Sequence, residues 1–533
     1  MAKKRIFVIV AFVLVMALSV IGLTACGKPA SDLNENQEQQ KIEKPTIPSG
    51  NEVEVSDETA KATAGLVYEK SADGKFAILT KFEGKENETT IVVASEYENL
   101  PVTAVANGAL KDQKNISSVV LPKSVLTIGE NAFADCSKLT SIDLGTNLKF
   151  IGNGAFKNVT AIKEIKVPNT LETIGMSAFR GCAILEKINL PEGLKSIGDY
   201  AFMDCTKINE VVIPSTIKAI GRQTFYDCIG LKKITLLENL ETIGEEAFRG
   251  SALDTEIVIP NSVTEIGEGA FRNCTSLKNV TIPENVNSIE KALFKDCTKL
   301  DRITIQSNKI TKISDSAFEG CLKLNIVIMP DSVTEIGAKA FEACDLSGIY
   351  KNDVLVEFMH FSSNLEIIGE SAFANTNFKT LALPSKVIEI GAFAFSRCEN
   401  LVEIELPHRL ASIKDGAFRM SSNLETIKYR GEMQEWENLY KVEFWDVSME
   451  KYVVDCTDGK IEVDNPLKPE ETPEPPVEGG EGETPEIPDQ GGEEGEIPVP
   501  PAQGGDEGEL PENPDQGGEE NNGEDTEQTT PEN

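Results

Sequence analysis

Apolar side chains recur in two alternating patterns along the middle of the chain. Segments such as "LEKINLP" at 185–191 place apolar residues at every second position, which predicts a short β-strand that the closing proline ends. Segments such as "IGDYAFMDC" at 197–205 place Ile197, Ala201, Phe202 and Cys205 on one face of a short helical or 3₁₀ turn. Gly198 fits a tight corner between the two segments. Each unit is therefore predicted to contain one strand and one helical turn.

The two patterns recur together at a nearly constant period. The steps between successive copies of the phenylalanine are 23 seven times and then 24, 23, 32, 22 and 23, with an isoleucine five residues before each copy. A degenerate earlier copy has Val105 and Leu110 at the same offset, which gives 14 units. The phenylalanines are Phe133, Phe156, Phe179, Phe202, Phe225, Phe248, Phe271, Phe294, Phe318, Phe341, Phe373, Phe395 and Phe418.

One unit cannot bury its apolar face alone, so the copies are expected to stack into a continuous core. Their strands must run parallel, because each 23-residue return makes a crossover. The predicted fold is a repeat solenoid of the leucine-rich-repeat type. It has a parallel β-sheet, short helical or 3₁₀ turns and about 14 coils.

The pattern "LxxIxLPxxVxxIGxxAFxxCxxL" resembles the BspA-like leucine-rich repeat family of bacterial surface proteins, over about residues 66–463. The resemblance implies a solenoid displayed on a cell surface, with a role in adhesion to host matrix proteins or to other bacteria. We expect an N-terminal β cap at 63–104, with a hairpin around "SADG", and repeats at 105–428. Residues 429–465, with Trp436 and Trp445, resemble the family's end cap.

The N-terminal segment has the pattern of a lipoprotein export signal. Lys3, Lys4 and Arg5 precede an apolar run at 6–22, and "LTAC" follows at 23–26. This ending resembles the bacterial lipobox, which implies that residues 1–26 are a signal peptide and that Cys26 is lipidated. The alternatives are cleavage at another position or an uncleaved anchor. We expect export and lipid anchoring to the outer face of the bacterial membrane.

Composition predicts unstructured segments on both sides of the repeats. Residues 27–62 are polar and indicate a disordered tether, and 466–533 indicate a disordered tail with 22 acidic residues, one lysine and 13 prolines. The whole chain carries −36, the tail −21 and residues 1–62 −1, which leaves about −14 on residues 63–465. This acidity argues against a nucleic-acid partner.

Nine cysteines stand three residues after the repeated phenylalanine. Disulfides, a metal site and buried reduced thiols are three possible explanations. An odd column has no unique pairing, no histidine joins it, and Val159 or Ser251 replaces the cysteine in some copies, which favours buried thiols. Their positions are Cys136, Cys182, Cys205, Cys228, Cys274, Cys297, Cys321, Cys344 and Cys398.

No catalytic or cofactor motif stands out, and His360 and His408 are the chain's two histidines. We therefore expect no enzyme, cofactor or metal site, although a carboxylate pair of the glycosidase kind stays open. A solute-binding lipoprotein is disfavoured because no two-lobed α/β pattern is present. The main hypothesis is binding to an unknown protein or glycan ligand. The alternatives are a structural spacer without a ligand and, third, a surface enzyme.

Two features are candidate binding elements. One is an uncharged column of exposed strand positions, which β-branched strand propensity alone also explains. It is flanked by Glu164, Lys187, Glu210, Lys233 and Glu256, which alternate in sign. The other is a nine-residue insertion after Cys344, where repeat proteins often place binding loops, although its aromatics could instead fill an irregular core. The candidate residues are Val212, Thr235, Val258, Thr281, Thr304 and Ile328 in the column, and Tyr350, Phe358, His360 and Phe361 in the insertion.

Overall fold

Each repeat forms one coil of a solenoid, and most coils carry two short strands. The computed structural model describes residues 61–85, 87–351, 354–357 and 359–465. In that part of the chain the coils stack into a parallel β-solenoid of about 16 turns. The predicted repeat solenoid is therefore confirmed, with about two turns more than the 14 units counted from the sequence.

The first strands of successive coils stack on one side of the solenoid, which we call face 1. They are "LxxIxLP" strands, which pair in parallel with neighbouring coils in five separate groups. The hydrogen-bonded groups are Thr90–Val92, Ser118–Val120 and Ser141–Asp143; Glu164–Ile165 and Lys187–Ile188; Glu210–Val212 and Lys233–Thr235; Thr255–Ile257, Leu277–Ile282, Arg302–Ile305 and Ile326–Ile328; and Thr380–Ala382, Glu403–Leu406, Thr426–Tyr429, Lys451–Cys456 and Gly459–Asp464.

The second strands lie at the "IG" corners and form face 2. Most are two residues long and place the repeated isoleucine in the core. The groups are Leu66–Lys70, Ala77–Phe82, Leu100–Val105, Thr127–Ile128, Phe150–Ile151, Thr173–Ile174 and Ser196–Ile197; Ala219–Ile220, Thr242–Ile243 and Glu265–Ile266; and Lys312–Ile313, Glu335–Ile336, Ile367–Ile368, Glu389–Ile390, Ser412–Ile413 and Tyr440–Lys441. Glu96–Tyr97 pairs with Leu100–Val105, and Ile349–Lys351 forms a hairpin with Val354–Glu357.

The segment after each corner differs from the helical or 3₁₀ turn expected from its apolar spacing. Among the described residues the one helix is Met433–Asn438, and the "AF" segments are successive turns. The amides of Tyr200, Phe202 and Asp204 donate to carbonyls of the next coil at 2.9 Å, rather than within a helix. Tyr200 and Asp204 have φ of +60° and +62°. The apolar face is the same, but the backbone bonds join neighbouring coils.

These left-handed positions explain a second sequence preference. The residue before the cysteine slot has positive φ in coil after coil, and it is usually aspartate, asparagine or glycine. Those residue types tolerate this conformation best. Examples are Asp135, Asn158, Gly181, Asp204, Asp227, Gly250, Asn273, Asp296 and Gly320.

The core is a continuous stack of the repeated phenylalanines. Adjacent rings are nearly parallel, with centroids 5.1–5.7 Å apart from Phe133 to Phe418. At the C-terminal end Trp445 contacts Phe418 edge-on at 6.0 Å and Trp436 at 5.8 Å. At the N-terminal end Leu66–Lys70 pairs antiparallel with Ala77–Phe82, the hairpin expected around "SADG". Both ends of the stack are thus covered.

The corner glycine is required by close contact between coils rather than by a special φ. Gly198, expected at a tight corner, lies outside the left-handed region, but a Cβ there would stand 2.4 Å from Met176 N. A Cβ on Gly244 would stand 2.7 Å from Gly221 C and 2.8 Å from Arg222 N. No real Cβ approaches backbone atoms so closely, so a side chain at this position would force the coils apart.

We therefore expect Gly244→Ala to lower the free energy of unfolding by about 2–3 kcal/mol, since it overpacks a rigid backbone contact. Gly193→Ala is the matched control, because a Cβ there meets one carbonyl oxygen at 3.1 Å and nothing else within 3.8 Å. Chemical denaturation of both variants measures the difference. Equal stabilities would show that the corner glycine has no packing role.

Candidate functional site

The predicted column of uncharged residues is one strip on face 1. Strand register pairs Val212 with Thr235, Thr281 with Thr304, and Thr304 with Ile328. The sequence interpretation of these positions as neighbours is therefore correct. We call this column the strip, and its members are Val212, Thr235, Val258, Thr281, Thr304 and Ile328.

The strip presents an apolar surface to solvent. Val258, Val212 and Ile328 are 74%, 47% and 37% exposed, Thr281 is exposed, and Thr235 and Thr304 are half-buried. Val258 is level with Thr281, since the preceding Ile257 pairs with Val280. Exposed β-branched side chains in a row supply a surface that a partner can desolvate at low cost.

The predicted charge ladder is also present beside the strip. Glu164 pairs in register with Lys187, and Glu210 pairs with Lys233, whose side chains form a 2.6 Å ion pair. Both members of that ion pair are largely exposed, so the pair contributes little to stability. The ladder marks strand register, as expected from its alternating signs, and it bounds the uncharged strip with charge.

The inserted coil extends the strip instead of forming a separate site. His360 is exposed and makes a parallel bridge with Ile328, through its amide to the carbonyl of Val327 at 2.8 Å. Phe361 is half-buried and packs edge-on against core Phe373 at 5.7 Å, so its ring belongs partly to the core. Tyr350 lies in the hairpin strand Ile349–Lys351, and Phe358 lies outside the described residues.

A pocket next to the insertion was missed by sequence reasoning. It has a volume of about 250 Å³ and opens between the inserted coil and the following one. The sequence does contain a sign of it. A step of 22 residues directly follows the step of 32, so two neighbouring coils both differ in length from the regular repeat. The lining residues include Leu346, Met359, Phe361, Phe378, Leu381 and Ala382.

The cysteine column is buried and its thiols are free. Each thiol donates a hydrogen bond to a backbone carbonyl of the preceding coil, as from Cys205 Sγ to Phe179 O at 3.2 Å. Ser251 and Ser421 make the same bond from their hydroxyls, to Phe225 O and Phe395 O. Burial raises the pKa of the Cys182 thiol to about 12, so it stays protonated and unreactive. The slot therefore takes a small residue that usually donates this bond, although Val159 fills it without a donor, and the packing interpretation did not include the bond.

The described residues contain no cluster of three or more metal-ligating side chains. Nor does any helix in that part of the chain have the length and hydropathy needed to cross a membrane. Cys26, the predicted lipidation site, lies outside the described residues.

Comparison with solved structures shows the same fold. A leucine-rich repeat protein from Bacteroides ovatus ATCC 8483 is 24% identical, with a TM-score of 0.55, over 74% of this chain and 98% of its own. A leucine rich cell surface protein from Faecalibacterium prausnitzii A2-165 is 26% identical, with a TM-score of 0.44, over 72% of this chain and 98% of its own. The likeness to the Bacteroides protein supports the fold, whereas the second TM-score is too low to add to it.

Sequence comparison identifies the repeats. No functionally curated protein shows significant similarity to the chain. The family described as BspA type leucine rich repeat region (6 copies) matches residues 103–232, 149–257, 254–358 and 347–454. Because these matches together span about two thirds of its residues, the chain belongs to the BspA type leucine-rich repeat family.

Proposed function

We propose that this protein is a lipid-anchored cell-surface protein that binds a protein partner through the strip on face 1, as an adhesin does. The observation that carries the proposal is the row of exposed, uncharged and mostly β-branched side chains between charged neighbours. Leucine-rich repeat proteins generally bind other proteins, and the family is a scaffold family of repeat proteins.

The charge of the chain favours one kind of partner. Residues 63–465 carry about −14, and exposed carboxylates stand three residues after several members of the strip's column. They are Glu238, Glu284 and Asp331, and all three are exposed. A field of this sign attracts basic partners and repels acidic ones. The proposed ligand is therefore a protein with a basic surface and an apolar patch.

Replacing Val212, Val258 and Ile328 together with lysine is expected to weaken binding at least about tenfold, because an interface that buries them must then desolvate three charges. The ligand comes from a screen of the full chain against matrix proteins, mucins and a glycan array. Circular dichroism should show an unchanged fold, since exposed strand positions tolerate charge.

The matched control places the same three charges elsewhere, at Ile229, Leu322 and Met420. These residues are 61%, 53% and 42% exposed and lie in the turns rather than on face 1. The control should bind like the original chain. Normal binding by the strip variant would refute the proposal and favour the spacer interpretation.

The remaining parts of the proposal concern display. The supporting observation is the charged, apolar and small-residue order of positions 3–26, ending in Cys26. Lipid on Cys26 would anchor the chain to the outer face of the membrane. Residues 27–62 would then act as a tether, and the acidic residues 466–533 would keep neighbouring chains apart by repulsion.

A further inference from the structure

Strand pairing on face 1 is interrupted at several points, and one of them lies directly after the inserted coil. Ile328 pairs with His360 of the inserted coil, and Thr380–Ala382 pairs with Glu403–Leu406. Among the described residues no strand pairing joins these two groups. A pocket opens beside this break, and it is lined by side chains of the inserted coil and of the coils that follow.

Two changes in repeat length lie on either side of this break and its pocket. The inserted coil is nine residues longer than a regular coil, and the next coil is one residue shorter, between Thr376 and Phe378. Leu381 lines the pocket and is half-buried, whereas its register partner Ile404 is fully buried. The pocket has a volume of about 250 Å³.

The pocket has a fixed apolar floor. Phe361 and Phe378 both contact the ring of Phe373 edge-on, at 5.7 Å and 5.8 Å, so the phenylalanine stack holds them in place. Leu346 and Met359, which also line the pocket, are 2% exposed. A floor anchored to the core offers a partner a surface that needs no rearrangement.

We propose that this pocket binds one large apolar side chain, aromatic or branched, from a basic protein segment that lies along the strip. This inference rests on the function proposed above and names the anchor that the partner must supply. The bridge from Ile328 to His360 makes the pocket continuous with the strip, so one extended segment can reach both.

The volume fits one side chain. A cavity of about 150 Å³ holds benzene, and drug-sized ligands occupy roughly 300–1,000 Å³. The pocket lies between these sizes. Interface anchors are typically tryptophan, tyrosine or other large side chains seated in such pockets.

The polar rim of the pocket contains Ser347, Lys379, Thr380 and two carboxylates. Glu403 pairs with Lys428 at 2.6 Å, and Glu405 pairs with Arg430, so both rim carboxylates already have cationic partners. Arg430 also holds the pKa of Glu405 below its usual range. An apolar side chain needs the floor and leaves these ion pairs intact, whereas a sugar would have to bond to the remaining rim residues, Ser347, Lys379 and Thr380. Outside the pocket, the exposed carboxylates beside the strip favour a basic segment.

The test uses short fluorescein-labelled peptides of alternating lysine and serine with tryptophan, phenylalanine, leucine or alanine at the centre. Fluorescence anisotropy with the full chain measures their affinities. We expect the tryptophan peptide to bind at least about tenfold more tightly than the alanine peptide, a difference of about 1.4 kcal/mol. Equal affinities for the two peptides, or no binding by any, would overturn the proposal.

Variants that fill the pocket test whether the tryptophan of the peptide binds there. Ala382→Trp and Thr380→Trp place a large side chain on exposed wall positions, and either should bring the tryptophan-to-alanine ratio close to one. Asn189→Trp is the control, because Asn189 is exposed at the equivalent position of a regular coil without a pocket. A ratio that survives both pocket variants would show that the anchor binds elsewhere.

Two outcomes separate this inference from the proposed function. If the three-lysine strip variant loses the screened ligand while Ala382→Trp leaves the peptide ratio unchanged, the strip binds and the pocket proposal is wrong. If the peptides do not discriminate but a glycan loses binding in Ala382→Trp, the pocket binds sugar and the side-chain anchor is wrong.

Discussion

Phe225→Ala is expected to lower the free energy of unfolding by about 3–5 kcal/mol, the usual cost of truncating a buried phenylalanine. Phe225 is fully buried, and its ring is nearly parallel to Phe202 and Phe248 with centroids 5.3 Å and 5.6 Å away. Its removal leaves a gap in the stack that the coils cannot close, because backbone bonds such as Phe225 N to Ala247 O at 2.8 Å fix their spacing.

The loss should be local. Each coil contacts mainly its neighbours, so stability is close to a sum of coil and interface terms. Amide hydrogen exchange should therefore show the largest loss of protection in residues 200–250, and less in distant coils. Ile229→Ala is the control, since Ile229 is 61% exposed four residues away and should change stability by less than about 0.5 kcal/mol. Unchanged protection at 200–250 would contradict the stacked-coil core.

The core could be predicted from the sequence because its residues occupy the same position in every repeat. The phenylalanine and isoleucine columns have a period that only stacked coils satisfy, and the structure places them on one axis. The strip was predictable for the same reason, since equivalent positions of neighbouring coils must adjoin. These are consequences of periodicity, so they did not require knowledge of the backbone.

The backbone of the turns was not predictable from the same pattern. Ile197, Ala201, Phe202 and Cys205 share one face in a helix, and they also do so in a series of turns bonded to the next coil. The distinguishing signal was the aspartate, asparagine or glycine before the cysteine, which indicates positive φ. Aspartate, asparagine and glycine are unfavourable inside a helix, so a helix would not explain this preference.

The pocket depends on two coils that break the period. A sequence pattern shows that residues were inserted or removed, but the position of the resulting gap depends on which strands keep their register. His360 stays paired to the coil before, and Thr380–Ala382 stays paired to the coil after. The candidate binding site is therefore partly a property of the repeat and partly a property of its one large irregularity.

Cys26→Ala is expected to abolish lipid attachment if the segment before it is a lipoprotein signal. Alanine has no sulfur to carry a diacylglycerol, so the chain loses the acyl groups that would hold it stably to a bilayer. In a bacterial host, the variant should incorporate no labelled fatty acid, and its N-terminus should remain uncleaved at position 26.

Cys456→Ala is the control for that experiment, because it removes a free cysteine from the C-terminal strand Lys451–Cys456 and leaves the signal intact. This variant should incorporate labelled fatty acid to the same extent as the original chain. If Cys26→Ala instead keeps its fatty-acid label and its cleavage, the lipobox interpretation is wrong. The protein would then reach the cell surface without lipid on Cys26, and the two binding proposals would depend only on their own experiments.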